Sequence, residues 1–138
     1  MARPYVKRRD VWAEAVMAKY FPEWPTWDTQ VPLYDFRGWD PGTIESVGPL
    51  VFTRVMPRAD IIAVRATDLL VVELDNQMVL TNISRLDRYV DAVKNDYLRR
   101  EWRTLVIKGA YVTPGFDARF RAECRRKGYQ YIVEPVPT

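Results

Sequence analysis

The chain has 138 residues, 48% hydrophobic and 28% charged, with a formal net charge of +3. That length buries a core without covalent staples, and the mixture is that of a folded globular protein, not a disordered one. With no histidine and one cysteine, the chain cannot run Ser-His-Asp or Cys-His catalysis or hold structural zinc; carboxylates, Lys, Arg, Tyr and bound metal are left.

Lone Cys124 cannot form an internal disulfide, which fits a reducing compartment. The segment after Met1 is basic and lacks the apolar run of a signal peptide, and no stretch approaches the ~18 apolar residues of a membrane span. The expectation is one domain over residues 1–138, cytoplasmic or otherwise intracellular and off the membrane. The mild positive charge permits nucleic-acid binding without demanding it, because 18 acidic residues are interspersed.

In chain order, Arg3, Lys7, Arg8 and Arg9 form a basic arm suited to phosphate contacts or simply to solubility. Residues Asp10 to Tyr20 read as a helix behind an Asp10 cap, with Val11, Trp12, Ala15, Val16 and Lys19 at three-to-four spacing. Pro22 and Pro25 stop it. The stretch from Phe21 to Gly48 is rich in Pro, Gly, Trp and Asp and reads as a long ordered loop with a short strand at Val31 to Phe36. Trp24, Trp27 and Trp39 there either cover an open side of a sheet or meet a protein partner, a second copy included.

Three β-branched runs follow, Leu50 to Met56, Ala59 to Ala66 and Leu69 to Asp75, each bounded by turn chemistry. Asn82 then caps a helix carrying Ile83, Leu86, Val90, Val93 and Tyr97 on one stripe. A strand at Thr104 to Tyr111 is followed by a helix opened by Thr113-Pro114. That helix places Phe116, Phe120 and Cys124 on one side and ends at Gly128. A last strand spans Tyr129 to Val133. The order α-β-β-β-α-β-α-β predicts an α/β fold: a mixed sheet with helices on both faces.

The chemistry concentrates in two of these strands. Asp60 opens one and Glu73 nearly ends the next, so a hairpin turning near Ala66 to Asp68 makes them close to cross-strand neighbours. Asp75, two residues beyond Glu73, points to the same face. Three converging carboxylates repel one another, and a hard cation such as Mg²⁺ or Mn²⁺ relieves that cost. A metal there could activate water and neutralise charge on a phosphodiester. The plainer alternative makes all three solvated strand-end residues.

Arg58-Ala59-Asp60 and Val72-Glu73-Leu74-Asp75 resemble the Asp and (D/E)xK elements of the PD-(D/E)xK nucleases. Arg85-Leu86-Asp87-Arg88-Tyr89 on the next helix resembles the Gln-Leu-x-x-Tyr motif of many members. Thr104 to Lys108, Thr113-Pro114 and Lys127 to Ile132 resemble the segment closing that fold, so the likeness covers roughly residues 50 to 135. It implies a restriction-endonuclease-like core, Mg²⁺ or Mn²⁺ held by Asp60, Glu73 and Asp75, and cleavage of DNA. Two departures stand out: Asp75 occupies the place of the motif Lys, and Arg85 that of the Gln. If the cation comes from elsewhere, Lys108, Arg65 and Arg85 are the candidates, and Glu14 could supply the extra acid some members carry on the first helix.

Three functions compete. The first is a metal-dependent DNA endonuclease. The second is a degenerate nuclease fold kept as a structural or assembly component, for example of a virus particle. The third is non-catalytic DNA binding through the basic arm and the helix bearing Arg119, Arg121, Arg125, Arg126 and Lys127. Those last charges also suit a solvated helix face near its C-terminal dipole.

Overall fold

The computed structural model describes residues 4–138, with side chains from residue 9 onward. Arg3 and the side chains of Lys7 and Arg8 lie outside what is described. The elements are α1 (Pro4–Tyr20), β1 (Trp27–Pro32), α2 (Pro41–Val47), β2 (Arg58–Val64), β3 (Asp68–Leu74), α3 (Ile83–Val93), β4 (Val106–Thr113), α4 (Ala118–Lys127) and β5 (Gln130–Val133). Three short 3₁₀ turns, Pro49–Val55, Leu80–Asn82 and Arg100–Thr104, complete the described residues. None of the described helices is long and apolar enough to cross a membrane.

The strands form one sheet in the order β1-β2-β3-β4-β5. β1, β2 and β3 run antiparallel, whereas β3, β4 and β5 are parallel. This is the mixed α/β architecture expected from the sequence. β3 lies at its centre and every one of its residues is buried, which is why Leu69 to Leu74 reads as an apolar run interrupted by a single Glu.

Alternation along β2 and β3 sorts side chains between two cores. Ile61, Ala63, Leu70, Val72 and Leu74 pack under α1 through Trp12, Ala13, Val16 and Met17. Ile62, Leu69 and Val71 meet α3 and α4 on the other face, through Ile83, Leu86, Val93, Phe120 and Cys124. The stripe on α1 is therefore rotated from the one expected: Val11 is exposed and Met17 is buried. Asp10 sits well inside α1, which begins at Pro4, so it does not cap it.

Other boundaries differ for traceable reasons. Leu50 to Met56 is not a strand but a 3₁₀ turn with Pro49 at its start. The place beside β2 is already taken by Trp27–Pro32, in register from Trp27 opposite Ala63 to Pro32 opposite Arg58. The short strand expected at Val31 to Phe36 accordingly lies earlier. Tyr34 and Phe36 peel away into a satellite core with Ile44 and Met56. Asn82 precedes α3 but makes no capping hydrogen bond. Asp117, not Thr113-Pro114, caps α4 by accepting from the Arg119 amide, so Phe116 stands outside that helix.

The satellite core is tied to the sheet by Asp96, whose side chain is fully buried. Its carboxylate accepts from the amides of Tyr34, Leu98 and Arg99 at 2.9–3.0 Å and pairs with the Arg99 guanidinium at 2.7 Å. Asp96→Ala would strand the buried Tyr34 amide and two part-buried amides, so it is expected to lower the unfolding free energy by roughly 3 kcal/mol in urea denaturation. A loss below ~1 kcal/mol would show that water replaces the carboxylate.

Candidate functional site

Register places the first two carboxylates. Ile61 lies opposite Val72, so the next positions outward, Asp60 and Glu73, face one another across the hairpin end. Both are almost wholly buried. The sheet is irregular here: Gln30, beside Asp60 on β1, adopts a positive φ of 51°, a conformation uncommon for a non-glycine residue.

Asp60 is held from several directions. Its Oδ1 accepts from Arg9 Nε at 3.1 Å, Arg9 Nη2 at 2.8 Å and Gln30 Nε2 at 3.1 Å. Its Oδ2 accepts from the Leu74 amide at 2.8 Å. Arg9 Nη2 also donates to the Leu74 carbonyl at 2.9 Å. The guanidinium thus spans Asp60 of β2 and the end of β3, a charge-assisted arrangement of the strong kind.

Burial, and then the charge of Asp60, push the Glu73 carboxyl well above its usual range, and its hydrogen bond with Asp60 acts in the same direction. The positive charges of Arg9 and Arg85 act against this without overcoming it. The site therefore favours the protonated form of Glu73 beside Asp60, the usual direction when two carboxyls share a dry site. Tyr89 of α3, buried against this pair, has its hydroxyl pKa raised first by burial and then by Glu73 and Asp60.

Asp75 is held separately. Its Oδ1 accepts from the amides of Gln77 and Met78 at 2.9 and 3.1 Å. Its Oδ2 accepts from the Tyr111 hydroxyl and, at 3.4 Å, from Asn82 Nδ2. Burial, reinforced by that bond to Asp75, raises the pKa of Tyr111.

A cleft of about 380 Å³ opens over this centre, lined by Arg9, Asp10, Gln30, Asp60, Asp75 and Arg85 among others. The structure thus brings together Asp60, Glu73 and Asp75 with Arg85 at the rim. It does not bring Lys108 or Arg65 there. Both pair with Asp68 at the opposite end of β3, at 3.0 and 2.7 Å, and Arg65 lies over the Trp24 ring. Glu14 is exposed on α1, and the acid α1 contributes to the cleft is Asp10.

The donor set does not fit a divalent cation as it stands. Among the described residues no group of three or more His, Cys, Asp or Glu side chains is placed to hold a metal ion. Both oxygens of Asp60 and both of Asp75 already accept hydrogen bonds, and the positive charge comes from Arg9. A metal would have to displace the guanidinium and deprotonate Glu73.

Sequence reasoning missed Arg9 as part of the centre, and Tyr111 with it. One signal was available: Arg9 lies four residues before Ala13 and seven before Val16, on the stripe of α1 that faces the core. A charge on a buried stripe requires a counter-charge.

No family model matches the sequence, and no curated protein sequence matches it. Among solved structures, a repair endonuclease from Pyrococcus abyssi matches with a TM-score of 0.50 and 17% identity, over 91% of this chain and 46% of that one. The fold is nuclease-like. A second structure, an EndoMS–dsDNA2 complex, gives a TM-score of 0.47 and 20% identity over 91% of this chain and 44% of that one. This chain spans less than half the length of either.

Because Glu73 holds its proton more tightly folded than unfolded, its contribution to stability is complete below its ordinary value of 4.5 and is lost as pH rises above it. Glu73→Gln fixes the neutral form. It is expected to melt close to the parent at pH 4 and above it at pH 8, with a gap that widens steadily in scanning calorimetry. A gap independent of pH would mean that Glu73 is ionised in the folded protein.

Proposed function

We propose that this chain is a nuclease-fold domain that binds DNA across its carboxylate cleft without cutting it. The observation that carries this reading is the Arg9 guanidinium, which occupies Asp60 and the Leu74 carbonyl together. It supplies the positive charge that a metal would otherwise supply.

DNA is favoured as the partner by the cations around the cleft. α3 and α4 both start at the end of the sheet where Glu73 and Asp75 lie. Their exposed Arg85, Arg88, Arg121 and Arg125 form no ion pair with any described residue, unlike Arg119, Arg126 and Lys127. Arginines with no ion pair among the described residues suit phosphates, and Arg85 lines the cleft itself. The likeness to a repair endonuclease agrees with a nucleic-acid partner.

Metal-dependent cleavage is the second reading, favoured by Asp60 and Glu73 lying side by side under an open cleft. The two separate cleanly in a gel assay on duplex, single-stranded and branched DNA with Mg²⁺ or Mn²⁺. No cleavage is expected from the parent. Cleavage that disappears in Asp60→Asn and in Glu73→Gln would overturn the proposal.

Binding to a labelled duplex is expected to weaken steeply with salt. Replacing both Arg85 and Arg88 by Ala should reduce the slope of log K against log salt by about 2, one per lost phosphate contact. Salt-independent binding, or none at low salt, would remove DNA from the reading.

A further inference from the structure

Four aromatic rings form a column that runs from the buried carboxylate centre to the surface. Tyr111, whose hydroxyl holds Asp75, stacks on Phe120 with ring centroids 5.7 Å apart and planes 17° apart. Phe120 stacks on Tyr131 at 6.3 Å and 12°. Tyr131 meets Phe116 at 6.2 Å with the planes tilted by 52°. Tyr111 and Phe120 are buried, Tyr131 is half-buried, and Phe116 is 59% exposed.

The turn bearing Phe116 is fixed. Thr113 Oγ1 donates to the Gly115 carbonyl at 2.8 Å. The Tyr131 hydroxyl lies 2.6 Å from Thr113 Oγ1 and accepts from the Asp117 amide at 3.2 Å. The turn also abuts the loop after β3, since a side chain added at Gly115 would meet the Met78 sulfur at 3.8 Å, and the Met78 amide binds Asp75. An exposed ring on an ordered turn presents its area without first losing freedom.

A cation lies at that ring: the Arg121 guanidinium sits over it, 5.0 Å from the Phe116 centroid. Arg125, one helical turn further along α4, is exposed and forms no ion pair with a described residue. A ligand that adds one more flat ring to the column while bringing negative charge to Arg121 and Arg125 has the chemistry of a nucleotide. A base paired inside a duplex hides its faces, so the base must be unstacked.

Resting on the reading of this chain as a DNA-binding domain, we propose that Phe116 is a stacking contact for an unpaired nucleobase, with Arg121 and Arg125 taking the adjoining phosphates. The cleft would then engage DNA at single-stranded or disrupted positions.

The test uses a single-stranded oligonucleotide carrying 2-aminopurine and the matching duplex, read by anisotropy and by 2-aminopurine fluorescence. The parent should quench the probe on binding the single strand and prefer that strand to the duplex. Phe116→Ala should lose about tenfold in single-strand affinity, as expected for one base–aromatic stack, lose the quenching, and bind the duplex as before. Phe116→Trp should restore both. Equal affinity of the parent and Phe116→Ala for the single strand, with quenching retained, would overturn the stacking contact while leaving DNA binding intact. A parent that binds neither strand nor duplex at low salt would overturn both, and an aromatic protein partner would then be the better occupant of the ring.

Discussion

Arg9 bridges the open end of the β2–β3 hairpin, and the arrangement of the surrounding residues follows from it. Two buried carboxyls opposite one another on neighbouring strands are costly, because each charge loses water and repels the other. The protein meets this cost in two ways. One carboxyl takes the guanidinium of Arg9, the side chain of Gln30 and a backbone amide; the other holds its proton more tightly than usual. Asp60 is thereby paired with Arg9, with Glu73 driven toward its protonated form beside it. Removing either partner of such a pair is far more damaging than never having built it.

Asp75 turns away into hydrogen bonds of its own. Two amides of the following turn and the hydroxyl of Tyr111 absorb its charge. Cations expected near the centre serve the far end of the sheet instead, where Lys108 and Arg65 converge on Asp68 and hold that carboxyl far below its normal range. The sheet has one electrostatic cluster at each end of its central strand.

Much of this was legible in the sequence. Counting back from a hairpin turn near Ala66 to Asp68 sets Asp60 against Glu73, and the observed register agrees. The run Leu69 to Asp75 announced a strand, and Ile83, Leu86 and Val93 announced a helix; that this strand is central emerges only from the sheet order. Competition for a shared position was not legible. Leu50 to Met56 has strand-like residues, yet Trp27–Pro32 occupies the sheet edge they would need. Arg9 belonged by composition to a basic arm, and only the actual rotation of α1 turns it inward. Tyr111 looked like one more strand aromatic, because a partner 36 residues away leaves no local trace.

Among the described residues α1 hydrogen-bonds the sheet region at two places. At one, Arg9 grips Asp60 of β2 and the end of β3. At the other, Trp12 Nε1 donates to the Glu134 carbonyl at 2.9 Å and the Tyr20 hydroxyl to the Val133 carbonyl at 3.0 Å, beside the edge strand β5. The helix is a lever pinned at two places, so Arg9 cannot withdraw by a translation of α1 without breaking the contacts to Val133 and Glu134. Any shift of this helix that opens the carboxylate centre must therefore also break its hydrogen bonds to Val133 and Glu134, linking the charge state of the centre to the fastening of the segment that closes the fold.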